Sequence, residues 1–122
     1  MLRIFLMLAA FFGFTGVALG AFAAHGLKNR LTPEYLAVFQ TGVHYQMLHA
    51  LALLGVALLS VQVGGALVKW AGWAFVIGIL LFSGSLYLLT LAGLGVGIIT
   101  PIGGLFFLVG WALLLAAAVR LG

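Results

Sequence analysis

Reactive chemistry in this chain has one place to be. Between Thr32 and Ala50 the stretch TPEYLAVFQTGVHYQMLHA collects Glu34, Gln40, Thr41, His44, Tyr45, Gln46 and His49, while the sequence around it is almost wholly apolar. At about 100° per residue on a helix, Gln40, Thr41, His44, Tyr45 and His49 fall within roughly half the circumference. Gln40 with His44, and Tyr45 with His49, are spaced i,i+4, close enough for contact. Two imidazoles and a phenol on one face suit a proton relay or contact with a ligand, and an ionisable residue inside a bilayer is a functional candidate by default. The plainer role is structural: Tyr45, Gln46 and His49 bridge neighbouring helices and fix their rotation, at about 0.6 kcal/mol per hydrogen bond.

Other chemistries find less support. His44 and His49 are five residues apart, so they project about 140° apart and sit roughly 7.5 Å apart along the axis, a poor pair for one metal ion. His25 could add a ligand from the same side, but there is no cysteine and only one acid, so no metal and no cofactor is expected. That acid, Glu34, reads as a charge at a helix N-terminus, worth about 0.3–1 kcal/mol. No nucleophile–base pair or paired carboxylates appears, and an enzyme is not expected. Gly93, Gly95 and Gly97 neither follow a strand nor precede a charged helix start, so they form no phosphate loop. Trp111, in the last apolar run, needs an acceptor for its indole N–H, and Thr15 at similar depth could serve.

The elements that position these residues are membrane spans. Of 122 residues, 66% are hydrophobic and 5% charged, against about 25% charged in a soluble domain, and the mean hydropathy is +1.40. Four runs are long enough for a hydrocarbon core of about 30 Å, over roughly residues 4–24, 33–60, 66–91 and 101–120. The expected fold is therefore an all-α, four-helix transmembrane bundle occupying residues 1–122 as one domain, with a short polar interfacial segment between helices one and two. The N-terminus imitates a secretory signal with Ala21-Phe22-Ala23 as a cleavage site, and is read as the first span. The net charge is +4, but Arg3, Lys28, Arg30, Lys69 and Arg120 lie at span ends and form no patch. They suit anchoring among membrane lipids, and no nucleic-acid partner is expected.

Local signals refine the picture. Thr32-Pro33-Glu34 is a helix start: a capping hydroxyl, a proline at the first helical position and a carboxylate at the positive end. The run from Pro33 to Ser60 exceeds a perpendicular span, so either this helix tilts or its first turns lie in the interface and the span begins near His44. Small residues recur at seven-residue spacing: Ala9, Gly16, Ala23; Ala50, Ala57, Gly64; Ala71, Gly78, Ser85; and Gly103, Gly110, Ala117. Gly16, Gly20 and Ala24 recur at four. Such lines let helix backbones approach closely, and Gly16, Gly20, Gly78, Gly84, Gly103 and Gly110 are the expected packing glycines. An offset of 68 residues matches Phe14-Thr15-Gly16 to Phe82-Ser83-Gly84, Leu31-Thr32-Pro33 to Ile99-Thr100-Pro101, Phe39 to Phe107 and Gly42 to Gly110. This suggests a parallel duplication of a helical hairpin. The polar residues are not duplicated. Arg3, Lys69 and Arg120 against Lys28 and Arg30 favours cytoplasmic termini by one charge.

The blocks GAFAAHGL at Gly20, FQTGVHYQMLHALAL at Phe39, FSGSLYLL at Phe82 and ITPIGG at Ile99 together resemble a small bacterial multi-pass membrane family known as domain of unknown function 423, related to animal transmembrane protein 256. Ala23 stands where that family's GAFGAH pattern carries glycine. The resemblance implies a four-helix integral protein of the bacterial cytoplasmic (inner) membrane, and draws attention to His25, Tyr45, Gln46 and His49. It implies no reaction or cofactor. The sequence thus predicts a bundle that forms a homo-oligomer or supports other membrane proteins. Transport of protons or a small solute along His44, Tyr45 and His49 is an alternative, and binding of a lipid, quinone or haem between helices is another.

Overall fold

The computed structural model describes residues 1–121, and every membrane-length segment in it is helical. Helix α1 runs over Leu2–His25 and α2 over Pro33–Gln62. A third span, Ala66–Ala92, is built of α3 (Ala66–Gly78), a π-helical turn (Ile79–Ser83) and α4 (Gly84–Ala92), and α5 covers Ile99–Val119. All four spans are long and apolar enough to cross a membrane.

The start of α2 follows its sequence signal: the Thr32 hydroxyl accepts from the Tyr35 backbone N–H at 3.2 Å and Pro33 occupies the first turn. Three boundaries differ from the sequence reading. Helix α2 runs on to Gln62, so the following turn is only 63–65. Helix α5 begins at Ile99 and not at Pro101. A proline is tolerated within a first turn because the N–H it lacks would have no helical partner there. The third span is interrupted where its Phe82-Ser83-Gly84-Ser85 sequence meets the π-turn, in which the Gly84 N–H reaches back five residues to Ile79. At the far end Gly93 takes φ +67°, a left-handed stop in which its N–H caps Leu88 and Leu89.

Neighbour relations follow two hairpins. Helix α1 lies along α2, α5 lies along α3 and the π-turn, and α2 packs against the third span between them. The seven-residue lines form the seams: Ala9, Gly16 and Ala23; Ala50 and Ala57; Ala71, Gly78 and Ser85; and Gly103, Gly110 and Ala117 are all buried. Gly64 is exposed because it lies past the end of α2. The four-residue line fades, with Gly20 half-buried and Ala24 exposed.

The glycines differ in what they touch. A Cβ on Gly16 would strike the Met47 side chain, one on Gly78 the Phe107 ring and one on Gly110 the Phe75 ring, whereas one on Gly20 would only graze Val43 at 3.4 Å. Gly103 lies against backbone, at the Phe82 amide in the π-turn. Gly84 departs from expectation: it faces open space, with nothing within 4 Å of an added Cβ. Gly72, against Phe5, and Gly42, against Tyr87 at 2.9 Å, are close-packing positions that the sequence reading did not single out.

Candidate functional site

Seven polar residues were candidates from sequence, and the fold sends them to three different places. His25, Glu34 and Gln40 are exposed at the end of the bundle that carries the α1–α2 connection. The His25 ring turns back onto its own helix, at 2.9 Å from the Ala21 carbonyl. Thr41 likewise donates to the Ala37 carbonyl of its own helix at 3.0 Å.

Gln46 lies only about 60° round α2 from His49, yet it is turned toward α1 and α4 and not toward α5, and is only 4% exposed. Its amide nitrogen donates to the Phe12 carbonyl at 2.9 Å and to the Thr15 hydroxyl at 2.8 Å, and its amide oxygen accepts from the Tyr87 hydroxyl at 2.7 Å. One side chain thereby ties α1, α2 and α4 together. In hydrocarbon each of these groups would otherwise lack a partner, which is why the network closes completely. Tyr87 carried no role in the sequence reading. Its signal was available, since a phenol in an apolar helix must find a hydrogen-bond partner.

His44, Tyr45 and His49 do come together, along a cleft of about 640 Å³ between α2 and α5. His49 lies at its base and is 2% exposed. Its Nδ1 is 2.8 Å from the Tyr45 carbonyl, which can only accept, and its Nε2 is 3.1 Å from the Trp111 indole N–H, which can only donate. Those two partners fix His49 as the neutral tautomer protonated on Nδ1. The ring also stacks on Phe107, with centroids 3.6 Å apart and planes 8° apart. Trp111 therefore bonds across to α2, and Thr15 does not serve as its acceptor. Thr15 faces the other side of α2, where it accepts from Gln46 and donates to the Phe11 carbonyl at 2.9 Å.

The upper wall of the cleft is aromatic. The Tyr45 ring lies 4.7 Å from Phe82 and 6.2 Å from Phe107, centroid to centroid, and the His44 ring stands edge-on to Tyr45 at 6.0 Å. Leu48, Leu105 and Leu108 form an exposed apolar rim. His44 and Tyr45 both line the cleft, and among the described residues neither the His44 ring nor the Tyr45 hydroxyl is engaged in a side-chain hydrogen bond. The Phe82 wall is set by the π-turn, which two neighbours hold: Ser83 donates to the Gly42 carbonyl of α2 at 2.6 Å, and Gly103 of α5 presses on the Phe82 backbone. Wide turns of this kind recur at functional sites.

Depth follows from α5, whose 21 residues span roughly 32 Å and so match the hydrocarbon core. Trp111 is twelve residues past Ile99, roughly 18 Å in, so the His49–Trp111 bond lies near the bilayer centre. Tyr45, level with Gly103 to Phe107, lies roughly 6–12 Å in. The arrangement can hold a hydrogen-bonding group inside hydrocarbon. No three of His, Cys, Asp or Glu among the described residues stand close enough to hold a metal ion.

Known proteins similar to this chain are membrane proteins. The profile of a family described as "Protein of unknown function (DUF423)" matches residues 19–104. The UPF0382 membrane protein YwdK of Bacillus subtilis (strain 168) is 44% identical over 121 residues, covering 98% of this chain and 98% of the relative. The UPF0382 inner membrane protein YgdD of Escherichia coli (strain K12) is 43% identical, covering 98% and 92%. A UPF0382 membrane protein of Staphylococcus saprophyticus is 41% identical, covering 98% and 100%. No solved structure matches the chain.

Proposed function

The chain belongs to the DUF423 family of integral membrane proteins, and from that premise and the cleft between α2 and α5 we propose that it is a membrane-embedded binding module for a small amphiphile. The observation that carries this reading is the cleft itself. Its volume, about 640 Å³, falls in the range of ligand sites, which are largely apolar with a few placed polar groups. His44 and Tyr45 supply those groups, and the leucine rim leaves a way in from surrounding lipid.

Self-association through small-residue faces has less support. The heptad lines that would serve it are already used inside the chain, buried between its own helices. A proton path along His44, Tyr45 and His49 has less support too, because both ring nitrogens of His49 are engaged and a second ring proton would confront the indole N–H. Arg3, Lys69 and Arg120 lie at one end of the bundle and Lys28 and Arg30 at the other. The excess favours cytoplasmic termini, so that the mouth of the cleft faces the outer leaflet of a bacterial cytoplasmic membrane.

Native mass spectrometry from lipid nanodiscs tests the proposal. One retained amphiphile per chain is expected, and it is lost in Gly104→Leu, since Gly104 lines the cleft and has only Phe82, at 3.9 Å, near an added Cβ. Chains that emerge empty, or an oligomer that retains its amphiphile equally well with Gly104→Leu, would overturn it.

A further inference from the structure

We infer that the amphiphile is a neutral lipid headed by a flat, carbonyl-bearing ring, the quinone class, with its ring on the aromatic wall and a carbonyl oxygen accepting from Tyr45 or His44. This rests on the binding reading above and narrows its ligand.

Three observations select the class. The first is depth. Tyr45 lies below the end of the hydrocarbon band, beside Phe107 and the Phe82 ring whose backbone meets Gly103, where a phosphate headgroup would have to leave the interface to reach it. The second is charge. No Lys or Arg lines the cleft, so a phosphate, a free carboxylate or the two carboxylates of haem would be held in hydrocarbon without a counterion, at a cost of several kcal/mol. A neutral head carries no such penalty. The third is shape. Tyr45, Phe82, Phe107 and Trp111 form a wall of rings, which a planar conjugated head covers better than an acyl chain does, by offset or edge-on contact. A quinone carbonyl is an acceptor, and the Tyr45 O–H and a His44 ring N–H are the donors that the lining side chains offer without a side-chain partner of their own. The alkyl tail leaves past Leu105 and Leu108, the latter 68% exposed. A helix from a second copy fits this space poorly, since a helix is about 10 Å across and would leave the two polar groups facing apolar side chains.

The test uses the full chain in nanodiscs of phosphatidylcholine, with Trp70→Phe and Trp73→Phe leaving Trp111 as the sole tryptophan. Decyl-benzoquinone is titrated while Trp111 emission is followed. Saturable quenching at one quinone per chain is expected, above the gradual quenching that partition alone causes. Tyr45→Phe combined with His44→Phe should weaken it about tenfold, the effect of losing one to two hydrogen bonds. Leu108→Trp read with 19F-labelled quinone, which needs no tryptophan signal, should abolish it by filling the cleft. Nanodiscs containing a bromoalkyl phosphatidylcholine separate the two claims. Saturable quenching by the bromolipid that quinone fails to displace would overturn the quinone assignment and leave an amphiphile site standing. If neither quencher saturates, both claims fall. Quinone binding that is indifferent to the Tyr45/His44 double variant would also overturn the assignment, because the ring would then sit elsewhere.

Discussion

The two hairpins of this bundle combine hydrogen bonds and close packing in different proportions. In the first, α1 and α2 are joined by hydrogen bonds through Gln46, which reaches Phe12 and Thr15 on α1 and then Tyr87 on α4. In the second, the Ser85 and Thr100 hydroxyls share a hydrogen bond near the start of α5, but α3 and α5 interlock by shape along their length: Phe107 fills the space over Gly78, Phe75 fills the space over Gly110, and Gly103 meets the Phe82 backbone directly. Burying apolar surface does little to join helices in lipid, where the tails are as apolar as leucine, so close packing and polar bonds are the two available means. The polar hairpin carries the free hydrogen-bonding groups, and the shape-locked hairpin supplies the rigid aromatic wall they face. A cleft between the two inherits both properties.

Two substitutions should break this comparison hardest, one in each hairpin. Gly103→Leu forces a side chain into the Phe82 backbone, where no flexible group can yield. Overpacking commonly costs about 1–3 kcal/mol, and backbone contact belongs at the upper end. Reversible unfolding by sodium dodecyl sulfate in mixed micelles, followed by circular dichroism, should show a loss of about 3 kcal/mol. Gln46→Leu removes three hydrogen bonds at about 0.6 kcal/mol each, so about 2 kcal/mol is expected in the same assay. The two should also differ in location. Hydrogen exchange should rise along α1 for Gln46→Leu and along α5 for Gly103→Leu. Equal rises in both hairpins for either variant would dissolve the distinction.

Much of this architecture is legible in the sequence because it rests on composition and spacing. Apolar runs of membrane length give the four spans, Thr32-Pro33 gives the start of α2, and small residues seven apart mark the seams. Partner choice is less legible. Gln46 and His49 are three residues apart, yet Gln46 faces α1 and α4 while His49 faces α5. A helical wheel alone does not say which neighbour occupies which side, and Thr15, which depth alone offers to Trp111, bonds to Gln46 for that reason. The π-turn was hidden as well. It adds a residue to one turn of a helix whose apolar run is unbroken, and only the packing of Ser83 on Gly42 and of Phe82 on Gly103 reveals what holds it.

The link between the hairpins should respond less than either interior. Trp111→Phe keeps the aromatic wall but leaves His49 Nε2 without its donor. About 1 kcal/mol is expected, near the general value for one hydrogen bond. 15N spectra of labelled histidine should retain the Nδ1–H tautomer, because the Tyr45 carbonyl still accepts from it. A majority of the Nε2–H form would show that Trp111, and not the Tyr45 carbonyl, selects the tautomer.

The smallest effect concerns the two glycines that the 68-residue offset makes equivalent. Gly16 is buried against Met47 and Gln46, whereas its counterpart Gly84 has helical φ and ψ and open space around it. Gly16→Ala should therefore cost about 1 kcal/mol, moderated by the flexibility of the Met47 side chain that must move. Gly84→Ala should change stability by no more than about 0.5 kcal/mol. A matching loss at both positions would mean that the hairpins pack alike despite their different bonding, and that the duplication runs deeper than the contacts suggest. The expected inequality has a simple cause. Gly16 sits on the α1 face that Gln46 draws against α2, whereas the matching turn of the third span is tied to α2 through Ser83 one residue earlier, leaving Gly84 turned toward the space beside Thr15 and Tyr87.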